Sequence, residues 1–334
     1  MPVTKVVILN WNGRHHLERF LPSVVATTPA EVEVVVADNG SDDGSLEFLA
    51  ENFPMVATLC LDRNYGFAEG YNRAIERLEA DYFILLNSDV ETTAGWCEPL
   101  IALIDGDPQV AAASPKILSY TDPMRFEYAG AAGGFIDCFG YPFCRGRILS
   151  TIETDQGQYD DRRETFWASG ACIIVRADVY RRIDGFDAGF FAHMEEIDLC
   201  WRMQLAGYRV MVEPRSTVYH LGGGTLAAGS ERKIYLNFRN SLAMLYKNSR
   251  RARGVVFLRM VLDGGSALVY LLAGRRDLYR AVVCAHADFR CWLPRLRAQR
   301  REIQASCVAR PRGIYKGSIL LRYLLGRRTF GRIL

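Results

Sequence analysis

Three short apolar runs near the start of the chain each end abruptly in small polar residues. Val6-Val7-Ile8-Leu9 runs into Asn10-Trp11-Asn12, Val32 to Ala37 into Asp38-Asn39-Gly40-Ser41, and Tyr82-Phe83-Ile84-Leu85-Leu86 into Asn87-Ser88-Asp89. Runs of this length without polar alternation read as strands buried on both faces, the signature of a parallel sheet. Open α/β sheets bind their ligands at the carboxyl ends of such strands, so the three polar tips mark one candidate edge.

Helical patterns fill the gaps between the runs. The spacing predicts strands over 3–9, 31–37, 56–60, 81–86 and 110–114, separated by helices near 14–26, 43–52, 67–78 and 95–105. That alternation predicts βαβ units and an α/β fold with a mostly parallel central sheet. From Lys116 to Thr165 the chain is rich in Gly, Tyr, Phe and Asp without steady periodicity, and reads as loops and short hairpins covering the sheet edge. Order returns with a strand over 171–176, a helix from Ala177 and the turn Asp184-Gly185-Phe186-Asp187. A helix over 195–206 then stops at Gly207, as a C-terminal cap requires, followed by strands at 208–212 and 217–219. Helices are predicted over 231–248, 254–272, 276–291 and 294–306. The chain thus divides into a unit over 1–230 and a helical, basic region over 231–334.

With 334 residues, 49% of them hydrophobic, the chain can bury a full core and add an appendage. Its net charge of +3 conceals a split. From Lys247 onward there are 20 Lys and Arg against 4 Asp and Glu, a balance of +16, which leaves −13 before it. A basic tail of that kind faces an anionic surface such as a membrane, or neutralises an acidic front unit. Its apolar runs Ile319-Leu320-Leu321 and Tyr323-Leu324-Leu325 suit helices lying on an anionic bilayer. It has no zinc spacing or RNA-binding aromatic motif, so no nucleic-acid partner is expected. Nine scattered cysteines without a C-x-x-C pair fit a reduced cytoplasm rather than a disulfide framework. The first residues show no charged leader ahead of a long apolar stretch, so no secretory signal is expected. Val255 to Gly274 is the longest apolar tail segment, but Arg259, Asp263 and paired glycines make it a poor spanning helix.

Each candidate chemical residue has an ordinary structural reading beside the functional one. Asp38, ahead of Asn39-Gly40-Ser41-Asp42-Asp43-Gly44-Ser45, suits either a nucleoside contact or a turn with a helix cap. Asn64-Tyr65-Gly66-Phe67-Ala68-Glu69-Gly70-Tyr71-Asn72 puts glycines at a strand-to-helix turn, where free amides suit a phosphate but G-x-x-x-G also serves packing. Asp89 offers a hard oxygen to a divalent cation, and His220 a nitrogen. Glu195, Glu196 and Asp198 crowd the first turn of one helix. Helix-dipole stabilisation and an Asp198–Arg202 i,i+4 pair account for them structurally, and a general base accounts for them chemically.

These segments, in this order, resemble the family-2 glycosyltransferases of GT-A fold, in particular their non-processive, rhamnosyltransferase-like members. The resemblance spans about residues 3 to 248. It rests on the four segments Val7 to Gly13, Asp38 to Ser45, Asn64 to Asn72 and Leu86 to Asp89, continued by Gly185-Phe186-Asp187, Met194 to Arg202, Tyr219-His220 and Arg239-Asn240. It implies that Asn10, Asn12, Asp38, Asn39, Asn64, Gly66, Asn72, Asn87 and Ser88 bind the nucleotide. It further implies that Asp89 is the metal-binding Asp of a D-x-D element, with His220 in the shell of a Mg2+ or Mn2+ ion. Glu196 becomes the catalytic base, with Trp167, Gly170 and Glu195 around the acceptor and donor sugar. Two departures stand out. Asn87 replaces the first Asp of D-x-D, and Glu196 stands where the family usually has Asp, which leaves Glu195 and Glu196 both open as the base.

The activity implied is inverting transfer of one sugar from a dTDP- or UDP-sugar, such as dTDP-rhamnose, to a glycan or lipid-linked hydroxyl in surface polysaccharide synthesis. The setting is the cytoplasm, at the inner face of the membrane. No Q-x-x-R-W element is present, so a processive synthase is not expected. A nucleotidyltransferase would need a glycine-rich basic loop after the first strand, and a nucleotide-sugar-binding protein without activity would not need Asp89, Glu196 and His220 together.

Overall fold

The computed structural model describes residues 2–222 and 229–333. The Gly223-Gly224 stretch after His220 lies outside the described residues. The first half builds β1 (Thr4–Asn10), α1 (Arg14–Thr27), β2 (Glu33–Asp38), α2 (Ser45–Asn52), β3 (Ala57–Cys60), α3 (Gly66–Glu76) and β4 (Tyr82–Asn87). There follow β5 (Val90–Thr92), α4 (Glu98–Gly106) and β6 (Val110–Ser119). The apolar runs form strands for the reason given above: Val6, Val7, Ile84 and Leu85 all have no solvent exposure, so both sheet faces are covered. Alternate residues feed two cores. Val7, Phe83 and Leu85 pack with Tyr71 of α3 on one side, while Val6, Ile8, Ile84 and Leu86 pack with Leu17 of α1 and Leu100 of α4 on the other.

The second half adds β7 (Gly134–Asp137), β8 (Pro142–Cys144), β9 (Arg147–Ile148), β10 (Thr151–Ile152), β11 (Arg163–Glu164), β12 (Cys172–Arg176), α5 (Ala177–Arg182), α6 (Glu195–Leu205) and β13 (Arg209–His220). The main sheet has the order β3-β2-β1-β4-β12-β6-β13-β11, with β5 paired to β13. Strands β3, β2, β1 and β4 are parallel, and β12 runs antiparallel to both β4 and β6. Register sets the tips level: Asn10 pairs with Asp38, and Leu9 with Asn87.

The 116–165 stretch holds the expected short hairpins, and these, β7 to β10, form a second sheet, closed on β7 by β14 (Ile314–Tyr315) from the far end of the chain. Its irregular period reflects short strands packed by aromatics, Phe135 and Phe143 meeting Phe330 at ring-centroid distances of 5.0 and 6.1 Å. The two strands expected around Pro214 are one, β13, with a register shift between Glu213 and Thr217 that absorbs the missing proline N–H. The two helices expected around Pro294 are likewise one.

The C-terminal helices are α7 (Glu231–Asn248), α8 (Ala252–Leu272), α9 (Arg276–Ala305) and α10 (Ile319–Leu324). Pro294 lies inside α9, where a proline costs about 3 kcal/mol. Burial of Phe289 before it and Leu296 after it holds the helix together. The boundary near 230 is therefore one of composition rather than packing, since α7 and β14 are built into the front unit. The basic tail neutralises some front carboxylates, Lys247 binding Asp187 at 2.6 Å and Arg312 binding Glu164. Within α8, Arg259 and Asp263 pair at 2.8 Å on the face turned to the protein, so they do not oppose contact of the other face with lipid. By length and composition this helix is able to cross a membrane.

Candidate active site

The strand tips are held by a lattice of side-chain bonds. Asn10 donates Nδ2 to Asp38 Oδ2 at 3.0 Å and to Ser41 Oγ at 3.2 Å, and the Ser41 amide donates to Asp38 Oδ1 at 2.9 Å. Asn12, at φ 48°, donates its amide to Ser41 Oγ, and its side chain both donates to Asp42 and accepts from the Asp42 amide. This turn is folded against the second tip and presents no glycine-rich loop to a phosphate. Asn39 extends the lattice, donating to Asn64 Oδ1 and the Gly66 carbonyl while accepting from the Tyr65 amide.

The amides at the start of α3 are not free, contrary to the phosphate expectation. Phe67 and Ala68 donate theirs to the carbonyl of Phe191, at 2.7 and 3.2 Å, and Gly66 gives its amide to Asn64 Oδ1 at 2.7 Å. Gly66 adopts φ 77°, and a Cβ there would stand 2.5 Å from the Phe191 ring. Asn72 lies about 9 Å further along α3. Its amide is used on the Phe186 backbone and the Tyr180 hydroxyl, pinning the Gly185-Phe186 turn.

Asp89 and His220 meet because β5 pairs antiparallel with the end of β13, placing His220 opposite Val90. His220 Nε2 lies 3.1 Å from Asp89 Oδ1, with the residues 5% and 6% exposed. Behind them Glu127, which the sequence reading missed in an aperiodic stretch, brings Oε1 to 3.5 Å from His220 Nδ1. Burial opposes protonation of His220, but its bonds to Asp89 and Glu127 outweigh that and raise its pKa well above the imidazole range. Burial likewise works to raise the Asp89 carboxyl, and the bond and charge of His220, helped by His16, hold it below its ordinary value. Among the described residues no three His, Cys, Asp or Glu side chains form a metal cage. One carboxylate and one imidazole, its Nε2 beside Asp89 and its Nδ1 backed by Glu127, suit a cation that draws its other ligands from phosphate oxygens.

Beyond the strand tips, α6 begins after a strained turn. Phe191, His193 and Met194 all have positive φ, at 65°, 70° and 73°. Such backbone persists only where its surroundings over-determine it. Here Asn240 of α7 donates to the carbonyls of Phe190, Ala192 and His193, and Arg239 to those of Gly189 and Phe190. The three acids of α6 then separate. Asp198 turns inward to Arg202, Lys247 and Asn248. Glu195 is buried with Oε2 unpartnered among the described residues, and burial together with the Glu196 charge raises its pKa strongly. Glu196 is half-buried, its pKa raised by desolvation to about 7, and it stands against Gly170, where a Cβ would lie 3.7 Å from its Cβ and Cγ. Ala171, next along, accepts the Asn87 amide at 2.9 Å, which brings Glu196 to the Asn87-Ser88-Asp89 tip.

Trp167 is a correction. It is 3% exposed, its ring fills the space beside Gly134, and its Nε1 donates to the Phe135 carbonyl at 3.0 Å, so it offers no surface to a sugar. Lys233, also missed, is half-buried on the first turn of α7, where burial lowers its pKa against the opposing charge of Glu127.

Comparison with known proteins matches residues 5–184 to the family model of glycosyl transferase family 2. The chain is 41% identical over 224 residues to the rhamnosyltransferase WbbL of Escherichia coli, covering 64% of this chain and 82% of that protein. It is 30% identical over 236 residues to the N-acetylglucosaminyl-diphospho-decaprenol L-rhamnosyltransferase of Mycobacterium tuberculosis, covering 65% and 76%. Its fold resembles that of S. aureus TarS 1-349 in complex with UDP-GlcNAc, with TM-score 0.57 at 15% identity over 97% of this chain and 92% of that one. It also resembles the mannosyltransferase PcManGT from Pyrobaculum calidifontis in complex with GDP-Man and Mn2+, with TM-score 0.52 at 15% identity over 92% and 86%. The polar strand tips, the acid pair on α6 and these relationships agree: the chain belongs to glycosyl transferase family 2, with the GT-A fold, and transfers sugar from a nucleotide sugar.

Proposed function

We propose that the protein transfers a single sugar, with inversion, from a dTDP- or UDP-sugar to a hydroxyl of a glycan or lipid-linked acceptor in surface polysaccharide synthesis. The observation that carries this reading is half-buried Glu196 packed against Gly170, whose neighbour Ala171 is bonded to Asn87, two residues before Asp89. Glu196 accepts the acceptor's hydroxyl proton as the oxygen attacks the anomeric carbon, and its raised pKa makes it a base suited to neutral pH. Burial and the Glu196 charge push the Glu195 carboxyl up, which disfavours a second negative charge beside the base. Asp89 and His220 would hold a divalent cation, Mg2+ or Mn2+, in place of the proton that otherwise links them. Such a cation, when bound, neutralises charge on the departing diphosphate. Half-buried Asn12, Asn64, Asn87 and Ser88 present the nucleoside surface, held from behind by Gly66 and by Asn10, Asp38 and Asn39, which are themselves out of reach of solvent. Relationship to rhamnosyltransferases favours rhamnose as the sugar, and the basic C-terminal region favours work at the inner face of the membrane.

Nucleoside diphosphate release tests the proposal, measured with dTDP-rhamnose, UDP-GlcNAc and GDP-mannose, with Mn2+ and with chelator, on a lipid-linked acceptor. Cation-dependent release with one thymidine or uridine donor, and a product of opposite anomeric configuration by NMR, is expected. Retention of configuration, or equal turnover in chelator, overturns it.

A further inference from the structure

Helix α8 is amphipathic in the inverted sense, with its charges inside and its apolar residues outside. Arg259 donates Nε to Asp263 at 2.8 Å and Nη1 to the carbonyls of Phe139 and Gly140 at 3.3 and 3.2 Å, with the Tyr141 ring 3.8 Å from its guanidinium carbon. The opposite face carries Phe257, Leu258, Val261, Leu268, Val269 and Leu272, with Phe257 67% and Leu272 79% exposed. Gly254, Gly264 and Gly265 share that stripe, and no atom lies within 4 Å of where their Cβ would stand. Between residues 254 and 274 the buried Arg259–Asp263 pair holds the only charges. Exposed arginines bracket the stripe, Arg250, Arg251 and Arg253 before it, Arg275 and Arg276 after it.

We propose that this stripe docks the protein on an anionic bilayer, with α8 lying in the interfacial plane. The inference rests on the reading of the C-terminal region as membrane-facing, and narrows it to one helix face. Charge selects the occupant. Arginines at both ends suit a surface of anionic headgroups around an apolar layer, the arrangement of interfacial helices. A second copy of the chain would bring arginine against arginine whether the two helices ran parallel or antiparallel. No acid is exposed on the stripe to relieve it, and Asp277 is bonded to Arg275 at 2.7 Å. Spanning is disfavoured by the inner face, because crossing would strip Arg259 from the carbonyls it serves in the β7–β8 turn. That same turn roots α10: Cys138 donates to the Gly317 carbonyl, and Asp137 accepts from Ile319 at 3.0 Å. The exposed Leu321, Leu324 and Leu325 of that region, with Arg327 and Arg328 beyond, give a second element of the same chemistry.

Co-sedimentation of the full-length protein tests this, using phosphatidylcholine vesicles with and without about a third phosphatidylglycerol. Three variants are compared with wild type: V261E/L268E, R251E/R275E, and Phe257→Trp. Wild type should pellet with anionic vesicles and be released by salt. Each double variant should bind about tenfold more weakly or worse while keeping its circular dichroism. Phe257→Trp should add a blue-shifted emission that brominated lipid quenches beyond the wild-type level. Wild type remaining in the supernatant at low salt overturns the membrane reading as a whole. Wild-type binding that V261E/L268E retains, with no added quenching in Phe257→Trp, overturns only the assignment to α8. A wild-type dimer by light scattering that V261E/L268E converts to monomer assigns the stripe to a second copy and overturns the proposal.

Discussion

Lys247 on α7 and Asp198 on α6 lie 3.0 Å apart, both out of reach of solvent. Two residues after Glu196, the chain is therefore fixed to the basic C-terminal region. The same ammonium binds Asp187 at 2.6 Å, while Asn248 and Arg202 complete the shell of Asp198 at 2.7 and 2.9 Å. Arg202 in turn donates to the carbonyls of Ile183 and Gly185 at 2.5 and 2.6 Å. A pair of charges this deep stabilises only when its hydrogen bonds are complete, and here they nearly are.

Lys247→Met should leave Asp187 and Asp198 short of their cation and cost about 3–5 kcal/mol at pH 7, read by urea unfolding. The pH dependence has a definite sign. Burial works to raise the Asp187 carboxyl, but Lys247 and Arg295 overcome it and lower its pKa far below the ordinary value. A depressed carboxylate contributes stability above its unfolded pKa, about 4, and loses it as pH falls. The gap between wild type and variant should thus be full at pH 7 and shrink below about pH 4. A gap that is constant down to pH 2 would contradict the assignment.

Glu196→Gln should lower turnover about a hundredfold or more while leaving donor affinity unchanged, the size usual for loss of a general base. Glu195→Gln is the control. Because the base acts deprotonated, wild-type activity should rise with pH through about 7, and that rise should vanish in Glu196→Gln. If Glu195→Gln is the inactive variant instead, the base moves by one residue.

Asp89→Ala should abolish most turnover and the Mn2+ dependence of nucleoside diphosphate binding, measured by calorimetry on the folded variant, and cost about 1–3 kcal/mol in unfolding because buried His220 loses that partner. His220→Ala should act in the same direction less strongly. Glu127→Gln, which keeps the shape but not the charge behind His220, should weaken Mn2+ affinity about tenfold. Unaltered Mn2+ titrations in Asp89→Ala would remove the cation from this site.

Asn240→Ala should free the three carbonyls that hold the positive-φ turn before α6, at a cost of about 1–3 kcal/mol. The specific readout is hydrogen exchange: the Phe67 and Ala68 amides, bonded to the Phe191 carbonyl, should lose protection together with α6. Faster exchange confined to α7 would indicate a local effect only.

Much was legible in sequence because it is written in short range. Uninterrupted apolar runs ending in Asn10, Asp38 and Asn87 mark buried parallel strands and their tips, since burial on both faces demands apolar residues and the tip is where the backbone meets solvent. Helix periods, the Gly207 stop and the +16 tail are equally local. What the sequence could not decide is which side chains face each other. Glu195, Glu196 and Asp198 occupy one helical turn, and only the packing of α6 between Gly170 and α7 sends Asp198 to Lys247, buries Glu195 and leaves Glu196 at the cleft. Glu127 reaches His220 because its amide is bonded to Ile117 of β6, the strand that pairs with β13, a neighbourhood that the aperiodic sequence around it does not show. Trp167 reads as a site residue but is buried by its fit to Gly134. Arg259 and Asp263 read as obstacles to spanning, and the fold turns them inward, because a charge on a helix matters through the face it occupies, and facing is set by long-range contacts.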